Sequence, residues 1–194
     1  EDLGVALFVS HQWLADSHPD PKAEQLAVLQ DALTNIISGR SRVRLPVVME
    51  MVYGRLPTPD LRAKPLYIWY DYFCCPQGNS IQAFRQRQSA IDNIVSYISR
   101  CKYFVVLCPS LTHMDRRLVL DEGTWAQRGW CRMERLGREL AVHESGAAIV
   151  IESGLRQYLM FMTSRHLDAP GDWKFLTKVY TLPQTNMETH IVPF

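Results

Sequence analysis

The sequence predicts an α/β fold in which helices cover both faces of a parallel β-sheet. Four short apolar runs have the composition of strands that are buried on both faces. They occur at residues 5–10, 66–71, 103–108 and 147–151. Segments with apolar residues at helical spacing separate these runs. This alternation indicates right-handed crossover connections, which place successive strands parallel to one another.

The first strand leads into a polar loop and then a helix. His11 and Trp13 follow the strand at its C-terminal end. The loop contains two prolines, and it is not helical because the residue before a proline favours extended geometry. Leucine and isoleucine then recur at helical spacing from residue 22 to residue 38. A helix is therefore predicted over 22–38, with Gly39 as its stop signal.

Residues 40–64 interrupt the alternation of strands and helices. They combine a basic start, three prolines and a short apolar stretch. We interpret them as an insertion on the surface with one short helix, since surface segments of this kind tolerate added residues. A lid over a site, or a surface that binds a partner, is the alternative interpretation.

The second half of the chain continues the pattern up to the fourth strand. A helix is predicted over residues 81–100, and residues 111–127 are interpreted as a charged loop, with one helical turn as an alternative for part of it. The pattern weakens after the fourth strand. Residues 155–162 have helical spacing, and residues 173–180 fit either a helix or a strand. Residues 189–192 are interpreted as an edge strand.

The carboxyl ends of the strands form the expected binding edge of this sheet. In open parallel sheets, ligands bind outside these ends, at the point where the strand order reverses. The loops that begin at Ser10, Asp71 and Pro109 are expected to meet there. The helix that begins near Arg128 follows the third strand, so its N-terminal end belongs to the same edge.

Glu134 is the candidate catalytic residue. The helix predicted over residues 128–143 carries Trp130 and Glu134 four residues apart, which places both side chains on one face. The small residues Gly137 and Ala141 mark the same side, so the carboxylate is expected near the sheet. A buried carboxylate is costly unless it is paired or faces a cleft. The simpler alternative is a helix whose tryptophan packs inward and whose glutamate is solvated.

The composition excludes several classes of function. The chain has 194 residues, of which 47% are hydrophobic and 21% charged, and its net charge is +1. Nothing in this balance favours nucleic acid or an acidic membrane surface as a partner. No apolar run reaches the roughly 20 residues that a membrane-spanning helix needs. A glycine-rich phosphate loop is missing, which argues against Rossmann oxidoreductases and P-loop enzymes.

The cysteines and histidines show no metal-binding pattern. The five cysteines include no CxxC pair, and the six histidines have no metal-ligand spacing. An odd number of cysteines, two of them in or beside apolar strands, indicates reduced thiols in an intracellular protein. We therefore predict no metal site and a cytoplasmic location.

Four short motifs carry a resemblance to a known family. They are LFVS at 7–10, YIWYD at 67–71, FVVLCPS at 104–110 and WCRME at 130–134. With them the chain resembles a TIR domain, the fold of Toll, interleukin-1-receptor and resistance proteins. The resemblance covers residues 5–151. We predict a single domain over residues 1–194, and the resemblance does not assign a structure to residues 155–194. It implies a flavodoxin-like three-layer αβα fold with about five parallel strands in the order 2-1-3-4-5.

The resemblance also implies an activity. In enzymatic TIR domains the matching glutamate is the catalytic residue of NAD+ glycohydrolase activity, and that role falls on Glu134. NAD+ is then a substrate, no cofactor is expected, and the products are nicotinamide and linear or cyclic ADP-ribose. Because nicotinamide in NAD+ is a cationic leaving group, its departure needs no general acid. One carboxylate can stabilise the positive charge that develops on the ribose.

Six further residues are candidates for substrate binding: Ser10, His11, Trp13, Asp71, Trp130 and Arg128. Trp13 would stack on a ring of the nucleotide, Asp71 would orient a ribose, and Arg128 would meet a phosphate. In the alternative interpretation, His11 and Trp13 pack within their loop, Asp71 accepts a hydrogen bond from a loop amide, and Arg128 is solvated. The sequence departs from the family here, because plant-type members have serine where Arg128 stands.

The resemblance implies a setting as well. Enzymatic TIR domains self-associate, which completes the site and switches the activity on. The expected partners are NAD+, further copies of the chain and other TIR domains, in immune or cell-death signalling. One alternative is a non-catalytic TIR-like adaptor that only assembles, and another is an enzyme that resembles nucleoside deoxyribosyltransferases. Glu134 favours an enzyme, since adaptors often lack this carboxylate.

Overall fold

A seven-stranded, mostly parallel sheet forms the middle layer of the molecule. The computed structural model describes residues 4–47, 50–51, 61, 65–141, 147–161 and 192–193. The strands in this part of the chain are β1 (Val5–His11), β2 (Val43–Arg44), β3 (Leu66–Tyr70), β4 (Tyr103–Leu107), β5 (Leu111–Thr112), β6 (Val119–Leu120), β7 (Ala147–Ser153), β8 (Arg156–Phe161) and β9 (Val192–Pro193). Strands β5 and β6 pair only with each other, and the other strands form the main sheet.

The main sheet has the order β2-β8-β7-β4-β1-β3-β9. Strand β1 pairs in parallel with β3 and β4, and β4 pairs in parallel with β7. These are the four strands that the apolar runs predict, so the α/β class is confirmed. The full strand order differs from the predicted one because β2 and β9 are added to it, and β8, next to β7, runs antiparallel where a fifth parallel strand is predicted. The short strands β2 and β9 extend the two edges.

The prediction of a helix over residues 155–162 is wrong, because residues 156–161 of this segment form strand β8. The chain reverses tightly at Gly154, whose added Cβ would lie 2.9 Å from the Cβ of Asp31. Along β8, Gln157 and Leu159 are buried on one face, and Tyr158 and Met160 pack against the core on the other face. A strand that is covered on both faces is apolar throughout, and such a run does not distinguish strand from helix.

The helices that surround the sheet are α1 (Glu24–Ser38), α2 (Asp71–Cys74), α3 (Ile81–Asp92), α4 (Ile94–Arg100), α5 (Glu122–Gln127) and α6 (Gly129–Glu139). Helix α1 lies where it is predicted, and Gly39 ends it in the left-handed conformation with φ of 78°. The helix predicted over residues 81–100 is divided in two at Asn93, whose ψ of 7° is not helical. Helix α6 ends at Glu139, before the predicted residue 143.

Hydrophobic cores cover both faces of the sheet. Leu7 and Val9 of β1 belong to the cluster that α1 covers, whereas Phe8 points to the opposite cluster. The ring of Phe8 stacks on Trp69 and Phe104, with centroid distances of 4.5 and 5.5 Å. Helices α4, α5 and α6 contribute to this second cluster. The arrangement is a three-layer α/β fold, with helix α6 on the same side of the sheet as α4.

Helix α6 is fixed against α4 by a close contact and a buried arginine. A Cβ added at Gly137 would lie 3.3 Å from Val95, so the two helices approach closely there. Arg138 is 1% exposed. Its Nη1 donates to the carbonyl of Cys101 and its Nη2 to that of Lys102, both at 2.9 Å. These contacts leave the other end of α6 to meet the carboxyl edge of the sheet.

Parts of the less regular segments also join the sheet. Val43 and Arg44, in the predicted insertion over residues 40–64, form β2 and pair in parallel with β8. The predicted edge strand near the C-terminus is represented by β9, which pairs antiparallel with β3. The element predicted over residues 173–180 lies outside the described residues. Within the described part of the chain, no helix combines the length and apolar character that crossing a membrane requires.

Candidate active site

A cavity of about 320 Å³ lies at the carboxyl ends of β1 and β3. The loop after β1, the segment after β3, and helices α3 and α6 supply its walls. Its volume is near the lower end of the range for small-molecule sites, about 300–1,000 Å³. It combines aromatic surface with charges of both signs. The residues concerned are Trp13, Trp69, Tyr72 and Trp130, and Asp71, Arg87, Arg128 and Glu134.

Glu134 is a buried carboxyl group at the wall of this cavity. It is 8% exposed. The hydroxyl of Ser10 donates to its Oε2 at 2.5 Å, and Nε1 of Trp125 donates to the same hydroxyl at 2.9 Å. Three buried groups from β1, α5 and α6 therefore form one hydrogen-bonded chain. Because each bond restrains the next, the network holds the carboxyl in one orientation.

The protonation of Glu134 is set by its surroundings. Burial raises the pKa of Glu134 to about 8, and the negative charge of Asp71 acts in the same direction. The hydrogen bond from Ser10 and the positive charge of Arg128 lower the pKa, but they do not overcome burial. The carboxyl is therefore mainly protonated at neutral pH and becomes a carboxylate as the pH rises through about 8.

Ser10 and His11 are both inside the protein. Ser10 is fully buried at 0% exposure, so its hydroxyl serves Glu134 instead of reaching a ligand. The side chain of His11 is 2% exposed, although it forms part of the cavity wall. Its Nε2 lies 2.7 Å from Oδ1 of Asp71, and its ring stacks on Tyr70 with centroids 4.1 Å apart. His11 thus packs against its neighbours in the protein, and its contact with a ligand stays a prediction.

Asp71 organises the edge of the cavity through contacts with the protein. Its Oδ1 accepts from the backbone N–H of Tyr72 at 2.6 Å and contacts His11, and its Oδ2 accepts from Nε1 of Trp13 at 3.2 Å. Burial alone would raise the pKa of Asp71. The charge of His11 and the hydrogen bonds outweigh burial and lower the pKa. Asp71 thus bonds a loop amide and orients His11 and Trp13.

Trp130 and Arg128 lie at the start of α6, where the cavity opens. Trp130 is 50% exposed and Arg128 is half-buried, and both line the cavity. Trp13, which is also half-buried, lines the cavity from the loop after β1. Of the seven predicted site residues, six line one cavity: Glu134, His11, Trp13, Asp71, Trp130 and Arg128. The seventh, Ser10, lies behind the cavity wall, bonded to Glu134.

Sequence reasoning missed two contributors to this site, Arg87 and Trp125. Arg87 lines the cavity together with Ala90 and Ile91 of the same helix. Positions three and four residues apart share one helix face, so an arginine on the apolar side of α3 was the available signal. Trp125 lies in a segment predicted as a charged loop, and no local pattern indicated its bond to Ser10.

Two cysteines line the cavity, but burial keeps them protonated. It raises the pKa of Cys75 to about 12, and it also raises the pKa of Cys131. A thiol with a raised pKa is a poor nucleophile, since the thiolate is the reactive form. All five cysteines are free in the structure, as their sequence pattern predicts. The cavity therefore offers Glu134, and not a thiol, for chemistry.

A separate polar cluster joins the loop after β1 to the β5–β6 hairpin. Asp16, His113 and Asp115 lie close enough together to hold a metal ion. However, Arg116 bonds Asp16 at 2.6 Å, and Nδ1 of His113 accepts from the backbone N–H of Arg116 at 3.2 Å. These groups are already used in linking the two segments. The cluster is better explained as a structural link than as a metal site.

The comparisons leave the cavity as the basis for assigning a function. Against models of known protein families, curated proteins and solved structures, the chain gives no significant match. The resemblance to TIR domains therefore depends on the four sequence motifs.

Proposed function

We propose that this chain cleaves NAD+ at the bond between nicotinamide and ribose, with Glu134 as the catalytic carboxylate. The observation that carries the proposal is the position of Glu134 at the wall of a cavity with both aromatic and cationic residues. The aromatic side chains suit a planar pyridine ring, and the arginines suit a phosphate. The WCRME motif at 130–134 supports the same assignment.

The proposed reaction needs few protein groups. The C1′–N bond of the nicotinamide ribose breaks, and its electron pair neutralises the pyridinium nitrogen. The carboxylate of Glu134 stabilises the positive charge that develops on the ribose, because a fixed charge acts strongly in a site of low dielectric. Water then supplies hydroxide to C1′ and releases a proton, which gives linear ADP-ribose. Attack by the adenine ring instead of water would give a cyclic product.

The hydrogen-bonded groups around Glu134 have supporting roles in this mechanism. Ser10 fixes the carboxyl and favours its ionised form through the 2.5 Å hydrogen bond. Asp71 orients Trp13, whose ring would stack on nicotinamide. Raised pKa values in a cleft are common at catalytic carboxyls, and the pKa of Glu134 is about 8. Nicotinamide release should therefore increase as the pH rises through this value.

We further propose that the active form is an assembly of copies in the cytoplasm, with a role in immune or cell-death signalling. The support for this part is the TIR resemblance. Activity per molecule is then expected to increase with protein concentration, because the populated assembly grows by mass action. A chain that assembles but releases no nicotinamide would instead be an adaptor module.

The test is nicotinamide release from NAD+ by the purified protein, followed by chromatography at several protein concentrations and pH values. Glu134→Gln keeps the size of the side chain and removes its charge, and we expect a loss of about 100-fold or more in rate. Glu139→Gln is the matched control, since Glu139 lies on α6, pairs with Arg135 and is not part of the cavity wall. Equal rates for Glu134→Gln and the wild type would refute the proposal, as would no release at any concentration.

A further inference from the structure

Arg87 is a cation on the cavity wall that the proposed chemistry at Glu134 does not use. It lies on α3, is half-buried, and shares the wall with Ala90 and Ile91. Its Nη1 donates to the carbonyl of Pro76 at 3.1 Å, and its guanidinium carbon lies 5.9 Å from the centre of the Phe84 ring. Within the described residues, no carboxylate forms an ion pair with it. A guanidinium has five N–H donors, so donors remain for a ligand.

The two arginines of the cavity have different neighbours. The positive charge of Arg128 lowers the pKa of Glu134, whereas the positive charge of Arg87 opposes the rise that burial and Asp71 cause in the pKa of Cys75. Asp71, the other acid of the cavity, is occupied by His11 and Trp13. The cavity therefore holds an arginine that, among the described residues, forms no ion pair with either carboxyl group.

A cavity with both a carboxyl group and a guanidinium matches the chemical layout of a pyridine dinucleotide. The reacting C1′ carries developing positive charge, and the phosphate is attached through C5′, which is bonded to C4′ across the ring oxygen from C1′. A planar guanidinium pairs with two phosphate oxygens at once, and such bonds are stronger than neutral ones. The loop carbonyl of Pro76 holds the guanidinium before a ligand arrives, which lowers the entropy cost of binding.

We propose that Arg87 binds the phosphate next to the nicotinamide ribose, and so selects nucleotides and dinucleotides over the nucleoside. The inference rests on the proposed function for the identity of the ligand. It assigns the choice between NAD+ and nicotinamide riboside to a residue of α3, outside the motifs that resemble TIR domains. The glycosidic bond is the same in both compounds, so this choice is independent of Glu134.

The test measures binding and catalysis separately. Affinities for nicotinamide riboside, nicotinamide mononucleotide and NAD+ are measured by calorimetry in a Glu134→Gln background, which keeps the ligands intact. Adding Arg87→Gln is expected to weaken the binding of nicotinamide mononucleotide and NAD+ by about tenfold or more, since a hydrogen bond to a charged group is lost. The affinity for the riboside should change by less than about twofold. Arg85→Gln, an exposed arginine of the same helix outside the cavity wall, is the control and should change neither.

The outcomes separate this inference from the proposed function. Equal losses for the riboside and the phosphorylated ligands would make Arg87 a structural residue and overturn the inference. No loss for any ligand, equal affinity for riboside and NAD+ in the Glu134→Gln protein with Arg87 intact, or failure of NAD+ to bind would also overturn it. Selective loss of phosphate binding, together with a wild-type protein that releases no nicotinamide, would support the inference and refute the catalytic proposal.

Discussion

The hydroxyl of Ser10, which is 0% exposed, donates at 2.5 Å to the carboxyl of Glu134, which is 8% exposed at the wall of the cavity. The two residues are 124 positions apart in the chain, and they meet because α6 packs across the end of β1. Nε1 of Trp125 donates to the same hydroxyl. This bond occupies a lone pair of the serine oxygen and leaves its proton for Glu134. The ionisation of Glu134 therefore depends on a residue that no ligand touches.

Ser10→Ala is expected to make Glu134 harder to ionise. The hydrogen bond from Ser10 favours the carboxylate, and a bond of this kind contributes about 1.5–3 kcal/mol, or about 1–2 units of pKa. The pKa of Glu134, about 8 in the wild type, should increase by that amount. The alkaline rise in nicotinamide release should move in the same direction. The measurement is a carbon-13 NMR titration of the Glu134 carboxyl, beside the pH dependence of the rate.

Ser99→Ala is the matched control for this substitution. The hydroxyl of Ser99 donates to the backbone carbonyl of Ser96 on α4 and lies outside the cavity wall. We expect this variant to leave the titration of Glu134 unchanged. An unshifted titration in Ser10→Ala itself would mean that the hydrogen bond does not favour the carboxylate, and the proposed role of Ser10 would be wrong.

Glu134→Gln is expected to change how stability depends on pH. The pKa of Glu134 is about 8 in the folded protein against 4.5 as the ordinary value. Between these values the folded state holds a proton that the unfolded state releases, so the free energy of unfolding falls as the pH rises. Glutamine resembles the protonated carboxyl and does not titrate. From pH 5 to pH 8 the wild type should lose on the order of 1–4 kcal/mol relative to the variant.

Urea unfolding of both proteins at several pH values measures this difference. Because other groups titrate in both proteins, the informative quantity is the wild-type value minus the variant value at each pH. The free energy of unfolding of the wild type minus that of the variant should decrease with every step from pH 5 to pH 8. Parallel curves for the two proteins would show that the environment does not perturb the ionisation of Glu134.

The parallel part of the sheet was predictable because its strands are covered on both faces. The central strand β1 buries Leu7 and Val9 on one side and Phe8 on the other, so its sequence is apolar throughout. Helix α1 was predictable because only one of its faces is buried and Gly39 marks its end. Both signals are local, and each follows directly from which surfaces are covered.

The less regular elements could not be predicted because their signals are short or depend on distant partners. Strand β8 has the composition of a buried segment, and its antiparallel pairing depends on the turn at Gly154 beside α1. Helix α5 has six residues, too few to show a periodicity, although Asp121 and Thr124 form a capping box at its start. The break at Asn93 leaves the apolar spacing of its helices nearly intact.

The candidate site likewise contains residues that the sequence could indicate and residues that it could not. Glu134 and Trp130 stood out because their spacing places them on one helix face at the carboxyl edge of the sheet. The partners of these residues did not stand out, since Trp125 and Arg87 come from other elements and meet the site only in the folded chain. Ser10 was identified for its position, but its contact with Glu134 required the structure.

Asp71→Asn is expected to reduce stability with the opposite dependence on pH. Burial opposes ionisation of Asp71, but the charge of His11 and three hydrogen bonds lower its pKa below the ordinary value of 3.8. A carboxyl with a lowered pKa stabilises the fold above its unfolded pKa, and this contribution is lost as the pH falls through the folded pKa. At pH 7 the variant should be less stable by about 1–2 kcal/mol, since the side chain is 34% exposed and solvent weakens the pair.

Urea unfolding of Asp71→Asn at pH 7 and below pH 4 tests this expectation. The difference from the wild type should shrink as the pH falls below 3.8 towards the folded pKa, because the wild-type contribution is progressively lost there. Asp92→Asn is the matched control: its carboxylate accepts only from Gln88 on the surface of α3 and should contribute less than about 0.5 kcal/mol. If Asp71→Asn were as harmless as this control at pH 7, then the His11–Asp71–Trp13 contacts would not be what holds the edge of the cavity together.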